Sequence, residues 1–452
     1  MAEGMFVPQN VRFMSQKLSG YSRNRFKVMP LGSRSASAGT ITNWALPENA
    51  LIDTSSIRVH ANVTTTGGSA GSGPTIVYGK LPQSSCSLVQ RLNVSINGVS
   101  IMNSGVSEYN SLCVVLKNAG GANKDRDSSY DRAVCHGAID GSSDSNEDVS
   151  IIIDFPAGCL SQNSTRFWPT QALGSVTIEC QWADNSVLVA KEHNQDVGAG
   201  NLSANGKTAA ASIAYTISGL YLTLDTISLP EYDAMLRQRL SQEASLSIAI
   251  KSYYTFTKDG IAADADTMVF SVSSSSIDRI IGTHRNSSYR SIGMRGWALT
   301  DQLGDANVGN YFRFLSLDSS TTKAGTKGTM FRLNNGPFPT YEANVIESLA
   351  DNCYSVDKVG ANSLGMICSS LPAFHQGLYS APLLLAHPTG MVMPSGFDSR
   401  GVASQGQWEC TGMVMPTPSA STGELGTVSS FLIVECTEQI IFSLGREVIH
   451  VH

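Results

Sequence analysis

A chain of 452 residues, 42% of them hydrophobic and 15% charged, is too long for a single core and suits two domains of roughly 200 residues each. Its charge lies far below the roughly 25% of an average soluble protein, and its 41 glycines suit short strands and many turns, not long helices. The net charge of −6 excludes a protein that is basic throughout, as dedicated nucleic-acid binders are.

The chain opens on an arm, residues 1 to 38, in which Arg12, Lys17, Arg23, Arg25, Lys27 and Arg34 face the single acid Glu3. That gives the arm +5 and leaves the rest at −11. With Phe6, Phe13, Tyr21 and Phe26 interleaved, it is expected to be mobile alone and to order against a neighbour or an acidic partner. No signal-peptide pattern begins the chain and no apolar run reaches ~18 residues, so synthesis and assembly in a reducing compartment are expected. The nine cysteines are scattered without a C-x-x-C and read as buried thiols. The glycosylation patterns at Asn62, Asn93 and Asn163 then read as chance matches.

Period-2 alternation at Ile57, Val59, Ala61 and Val63 predicts a strand with one face inward. Leu92, Val94 and Ile96 repeat it and run into Asn97-Gly98, a tight-hairpin signal. Strands follow at 149 to 155 and 176 to 182. Ile213, Tyr215 and Ile217 slip phase near Gly219 before Leu220, Leu222 and Leu224, which predicts a bulge. A capped helix follows: Ser228 and Glu231 form a capping box around Pro230, Glu231 and Asp233 suit its positive end, and Arg237 and Arg239 suit the other. From Leu246 the alternation resumes.

The second half echoes the first. Asn335-Gly336 matches Asn97-Gly98, Tyr341 to Leu349 matches the helical stretch Tyr109 to Leu116, and Leu432 to Cys436 matches Val176 to Cys180. The expected fold is all-β: two tandem eight-stranded jelly rolls, residues 39 to 227 and 245 to 452, joined by a helix-containing linker, 228 to 244.

The segment from Gly219 through Leu220-Tyr221-Leu222-Thr223-Leu224-Asp225-Thr226-Ile227-Ser228-Leu229-Pro230-Glu231 to Tyr232 resembles the double jelly-roll major capsid proteins of tailless icosahedral DNA viruses, of the polinton-like, virophage and nucleocytoplasmic large DNA virus types. More weakly, Ile57-Arg58-Val59 with Leu92 to Gly98 is similar to the opening sheet of that fold. The resemblance implies a homotrimeric, pseudo-hexagonal capsomer that tiles a shell after assembly in the host cytoplasm or nucleus. Its partners would be neighbouring capsomers and penton and minor capsid proteins, and the arm would face genome or internal membrane.

No cofactor, metal or catalytic residue is predicted. Gly67 to Gly71 matches G-x-S-x-G, the pattern of a nucleophile elbow, which needs a strand before it, a helix after it and His and acid partners; it sits in a Gly/Ser loop ending at Pro74 and reads as a loop. The acids from Asp125 to Asp148, and Asp259, Asp264 and Asp266, fit no EF-hand and read as solvated loops. His450 and His452 are expected to meet solvent. The competing readings are a carbohydrate-binding or carbohydrate-active β-sandwich, and a minor virion protein.

Overall fold

The computed structural model describes residues 22–69, 75–82, 84–102, 106–120, 146–161, 164–194, 213–228, 230–290, 293–295, 310–312, 314–315, 328–334, 336–343, 378–383, 396–400, 405–413, 415, 426–443 and 445–452. Two sandwiches follow one another along the chain, each with the same strand order. In the first, the strands are Ser22–Val28, Ile41–Ala45, Leu51–Thr66, Val89–Ile96, Val99–Met102, Asp148–Ile153, Val176–Trp182 and Ala214–Ser228. Numbered one to eight, they form sheets 1-8-3-6 and 2-7-4-5, with Phe167–Pro169 extending the sixth position along the third strand.

The second sandwich repeats this order with Ser245–Ile261, Ala265–Ser271, Ile277–Asn286, Gly328–Leu333, Gly336–Ala343, Leu378–Pro382, Gln405–Thr411 and Val428–Ser443. Each is a jelly roll, two Greek keys folded face to face. The hairpin between strands four and five turns at Asn97 (φ 48°) and Gly98 (φ 81°) in the first roll, and begins with Asn334 (φ 49°) in the second. Positive φ at both central residues matches the right-handed twist of the strands, which is why Asn97-Gly98 closes the first hairpin. In the second, Gly336 is already in strand five, opposite Leu333 as Val99 is opposite Ile96, so the turn lies one residue before the expected Asn335-Gly336.

Three further expectations change. Residues 22 to 28, placed in the arm, are the first strand of the first roll, so that roll starts before residue 39. Tyr341 lies in a strand, Gly336–Ala343, not in a helix; Tyr109–Gly120 is helical as expected. The Glu-Cys echo was matched to the wrong strand. Cys180 sits opposite Leu92, four residues before Ile96, and Cys410 sits opposite Thr329, four before Leu333. The counterpart of Glu179-Cys180 is therefore Glu409-Cys410 on the seventh strand, whereas Leu432 to Cys436 lies on the eighth.

The bulge holds: the register of the eighth strand against the third shifts between Ser218 and Tyr221, with Gly219 at φ 65°. Tryptophans pin both cores. Trp182 Nε1 donates to Thr42 Oγ1 at 2.9 Å, and Trp408 Nε1 donates to Thr329 Oγ1 at 2.7 Å. Trp408 stacks between His284 and Phe331, over Gly282, where a Cβ would lie 2.5 Å from the indole.

Candidate functional site

Chemistry needs a polar group held ready but uncommitted, and the buried charges are the groups that could supply one. Asp53 accepts two hydrogen bonds from Arg166, at 2.9 and 2.8 Å. Asp225 accepts from Arg25 Nε at 2.7 Å and Arg23 Nε at 2.8 Å. The bonds from Arg25 and Arg23 hold the Asp225 carboxyl below its ordinary value. Lys251 pairs with Asp278 and, at 3.3 Å, with Glu435, which Arg279 also grips at 2.7 Å. Burial opposes the charge of Glu435, and Arg279 and Lys251 more than offset it. These carboxylates are structural ties.

Glu147 differs. Its Oε2 accepts from the Leu81 N–H at 2.8 Å, but Lys80 Nζ stands 3.7 Å away, and burial pushes the carboxyl up to about 7.

The described cysteines, Cys86, Cys113, Cys159, Cys180, Cys410 and Cys436, are free and buried; Cys135, Cys353 and Cys368 lie outside the described residues. Burial pushes the Cys159 thiol up to about 12, so it stays protonated and unreactive. Trp44, Trp168, Trp182 and Trp408 are all buried, so among the described residues no tryptophan offers the exposed platform of a sugar-binding site; Trp297 lies outside them, as do Asp125, Asp127, Asp131, Asp140 and Asp144. Asp148 accepts from the Thr64 hydroxyl. No helix among the described residues is long and apolar enough to cross a membrane.

What the fold builds instead is a seam between the rolls. Glu108 precedes the Tyr109–Gly120 helix of the first roll, and Arg285 is the penultimate residue of the third strand of the second. Arg285 Nη2 donates to Glu108 Oε2 at 2.6 Å and Nη1 to Ser111 Oγ at 3.0 Å, while the Tyr289 hydroxyl donates to Glu108 Oε1 at 2.9 Å. The Arg285 side chain is 0% exposed and lies over the Tyr289 ring at 3.5 Å. Burial opposes the Glu108 charge, but Arg285 and these hydrogen bonds hold the carboxyl below its ordinary value. Around the pair one continuous core joins Tyr109, Leu112 and Val115 with Tyr253, Phe431 and Ile433. Val189–Asn194 also pairs in parallel with Gly293–Arg295 across the halves. Neither Arg285 nor Glu108 was singled out from the sequence; they stand 177 positions apart.

The linker helix spans Pro230–Glu243. Leu236 and Leu240, one turn apart, are buried on the core, and Arg237 and Arg239 are exposed. The last turn holds no basic residue, so these arginines do not serve the helix end as expected. Ala244 at φ 61° closes the helix. Ser228 ends the preceding strand, exposed and opposite Ser22. Leu229 and the side chains of Pro230, Glu231 and Asp233 lie outside the described residues, and with them the capping box.

Half of the basic set expected to await a partner is already engaged. Arg23 and Arg25 are bound to Asp225, and Lys27 Nζ lies 3.8 Å over the Tyr221 ring. The cause is the seven-residue pairing of Ser22–Val28 with the eighth strand, which sets these side chains beside acids of the neighbouring strands. Arg34 is exposed; Arg12 and Lys17 lie outside the described residues.

With two identical strand orders and a locked seam established, comparison with solved structures is decisive for the fold. The chain is similar to the capsid of the virus PBCV-1 in a quasi-atomic model, at TM-score 0.61 and 14% identity over 96% of this chain and 98% of that one. The fold is the double jelly roll of viral major capsid proteins. PBCV-1 VP54, fitted into a reconstruction of the virophage Sputnik, matches at TM-score 0.59 and 14% identity over 96% and 97% of the two chains. The Faustovirus major capsid protein matches at 0.54 and 9% over 94% and 91%. No family model matches the sequence, and no curated protein matches it.

Proposed function

We propose that this double jelly-roll protein is the major capsid protein of an icosahedral DNA virus, a structural subunit of the virion. The observation that carries this is the repeat of one strand order, 1-8-3-6 and 2-7-4-5, in two rolls fused by a buried seam. Two upright rolls per chain make a rigid tile with a two-fold repeat, and three tiles close a ring of six rolls, the outline that packs a flat facet without gaps. Homotrimers are therefore the expected capsomer, meeting neighbouring capsomers along their sides and penton and minor proteins at the vertices. The remaining arm, residues 1 to 21 with Arg12 and Lys17, is proposed to face the interior, toward genome or internal membrane. The linker helix is proposed to set the spacing of the rolls. Low surface charge suits the large interfaces this needs, on the order of 2,000 Å² or more.

The test is light scattering with electron microscopy of purified protein. Three times the monomer mass and near-hexagonal particles are expected, and a stable monomer at high concentration overturns the reading. Deleting residues 2 to 21 is expected to leave trimers intact and to impair shell assembly.

A further inference from the structure

The buried acids already described are held by Arg or Lys. Glu438 is not. Its side chain is 0% exposed, and among the described residues only neutral or imidazole donors reach it. Oε2 accepts from His450 Nε2 at 2.7 Å; Oε1 accepts from the Tyr254 hydroxyl at 2.6 Å and from His452 Nδ1 at 3.2 Å.

The backbone explains the meeting. Val448–Val451 pairs antiparallel with the eighth strand of the second roll, with Ile440 opposite His450 and Gln439 opposite Val451. Alternation turns His450 and His452 to one side of the strand, the side shared by Ile440 and Glu438. The expectation that these histidines meet only solvent fails because the sequence cannot show that the last strand folds back beside Glu438.

A carboxylate oxygen and two imidazole nitrogens lie within 4.8 Å of one another. That is the donor set of a three-ligand divalent site: bonds of ~2.0–2.2 Å put ligand atoms roughly 3.4 Å apart, so an ion would open the 2.7 Å pair of Glu438 and His450 and draw the more distant atoms inward. The His450 side chain is 8% exposed and that of His452 50%, so the cluster opens to water on one side and leaves a coordination position free. We propose that Glu438, His450 and His452 bind a divalent transition-metal ion of the zinc class, with Tyr254 orienting the carboxylate from outside the coordination shell. Mixed imidazole and carboxylate donors select zinc, nickel or copper over magnesium and calcium, which prefer oxygen alone. The ion takes the place of the protons between the imidazoles and the carboxylate and ties the Val448–Val451 strand to the body of the second roll.

Full-length protein stripped of metal by a chelator is titrated with zinc chloride, and with cobalt chloride as an absorbing probe. A bound ion at this site, a higher unfolding temperature with zinc, and a visible cobalt band of four- or five-coordinate strength are expected. His452→Ala, at a half-exposed position that tolerates truncation, is expected to bind one ion fewer or to weaken zinc at least tenfold. Tyr254→Phe is expected to weaken it by about tenfold, the usual effect of removing an outer partner. His60→Ala, in the first roll, serves as the control and leaves binding unchanged. A zinc isotherm of His452→Ala that overlays that of the unmodified protein, or no zinc uptake at micromolar concentration, overturns the proposal.

Discussion

The eighth strands of the two rolls hold the same topological place and live in different surroundings. Ala214–Ser228 alternates buried and exposed residues, and its outer side carries Tyr221 beside His60 under the Lys27 ammonium. Val428–Ser443 is buried on both faces as far as Glu438 and alternates only in its last five residues: Leu432, Val434 and Cys436 fill the second roll, while Phe431, Ile433, Ile440 and Phe442 join the core shared with the first. One sheet is a wall of the molecule and the other a partition inside it. A wall takes its ion pairs at the surface, where water shares the cost of charge; a partition must compensate each charge within the protein.

The contrast breaks most visibly at the seam. Glu108→Ala leaves the Arg285 guanidinium buried without a counter-charge and is expected to cost about 3–5 kcal/mol, read by chemical or thermal unfolding. A loss no larger than that of a surface pair would mean the partition is not sealed.

The next effect separates acids whose partners hold them charged from Glu147, where burial outweighs the nearby Lys80. Glu147 is raised in the folded state from 4.5 to about 7, so the native protein holds its proton where the unfolded chain has released it. Its favourable contribution is full below pH 4.5, falls as pH rises through 7, and is absent above. The change amounts to about 3 kcal/mol. Glu147→Gln is expected to remove this part of the pH dependence, seen as a difference in unfolding midpoint between variant and parent that grows from pH 5 to pH 8. Asp225, held low by Arg25 and Arg23, has the opposite sign and loses its contribution as pH falls below its ordinary range.

Gly282→Ala tests the interior packing of the partition. The added methyl meets Trp408, and a loss of about 1–3 kcal/mol is expected, with altered near-ultraviolet dichroism from the displaced indole.

On the wall, Asp225→Ala returns Arg23 and Arg25 to water, their side chains being already 44% and 69% exposed. About 1 kcal/mol or less is expected, together with faster hydrogen exchange along Ser22–Val28. The smallest effect is a gain: Ala244→Gly relieves a left-handed residue at the linker helix end and is expected to add about 0.5–1 kcal/mol, measured as a raised midpoint.

Much of this was legible in the residues because it is local. The alternation of Ile57 to Val63, the Asn97-Gly98 turn and the slip at Gly219 each depend on a few consecutive positions and appear as expected. The failures were tertiary. Leu432 to Cys436 imitates the Glu-Cys echo because a strand buried on both faces reads as a plain apolar run and invites any match; only the register counted from the hairpin identifies Glu409-Cys410. The basic residues at 23, 25 and 27 looked available because Asp225 lies about two hundred positions away.

By itself, then, the sequence determined the strand-forming pattern, the central helix, the division into two sandwiches and the resemblance of the Gly219 to Tyr232 segment to a capsid fold. These follow from side-chain period and backbone preference, which act over neighbouring residues. Only the tertiary structure decided that residues 22 to 28 close the first roll, that Arg285 and Glu108 lock the rolls together, and that Glu438 meets His450 and His452. Each of those contacts joins distant parts of the chain, and its energy depends on burial that exists only once both sheets have assembled.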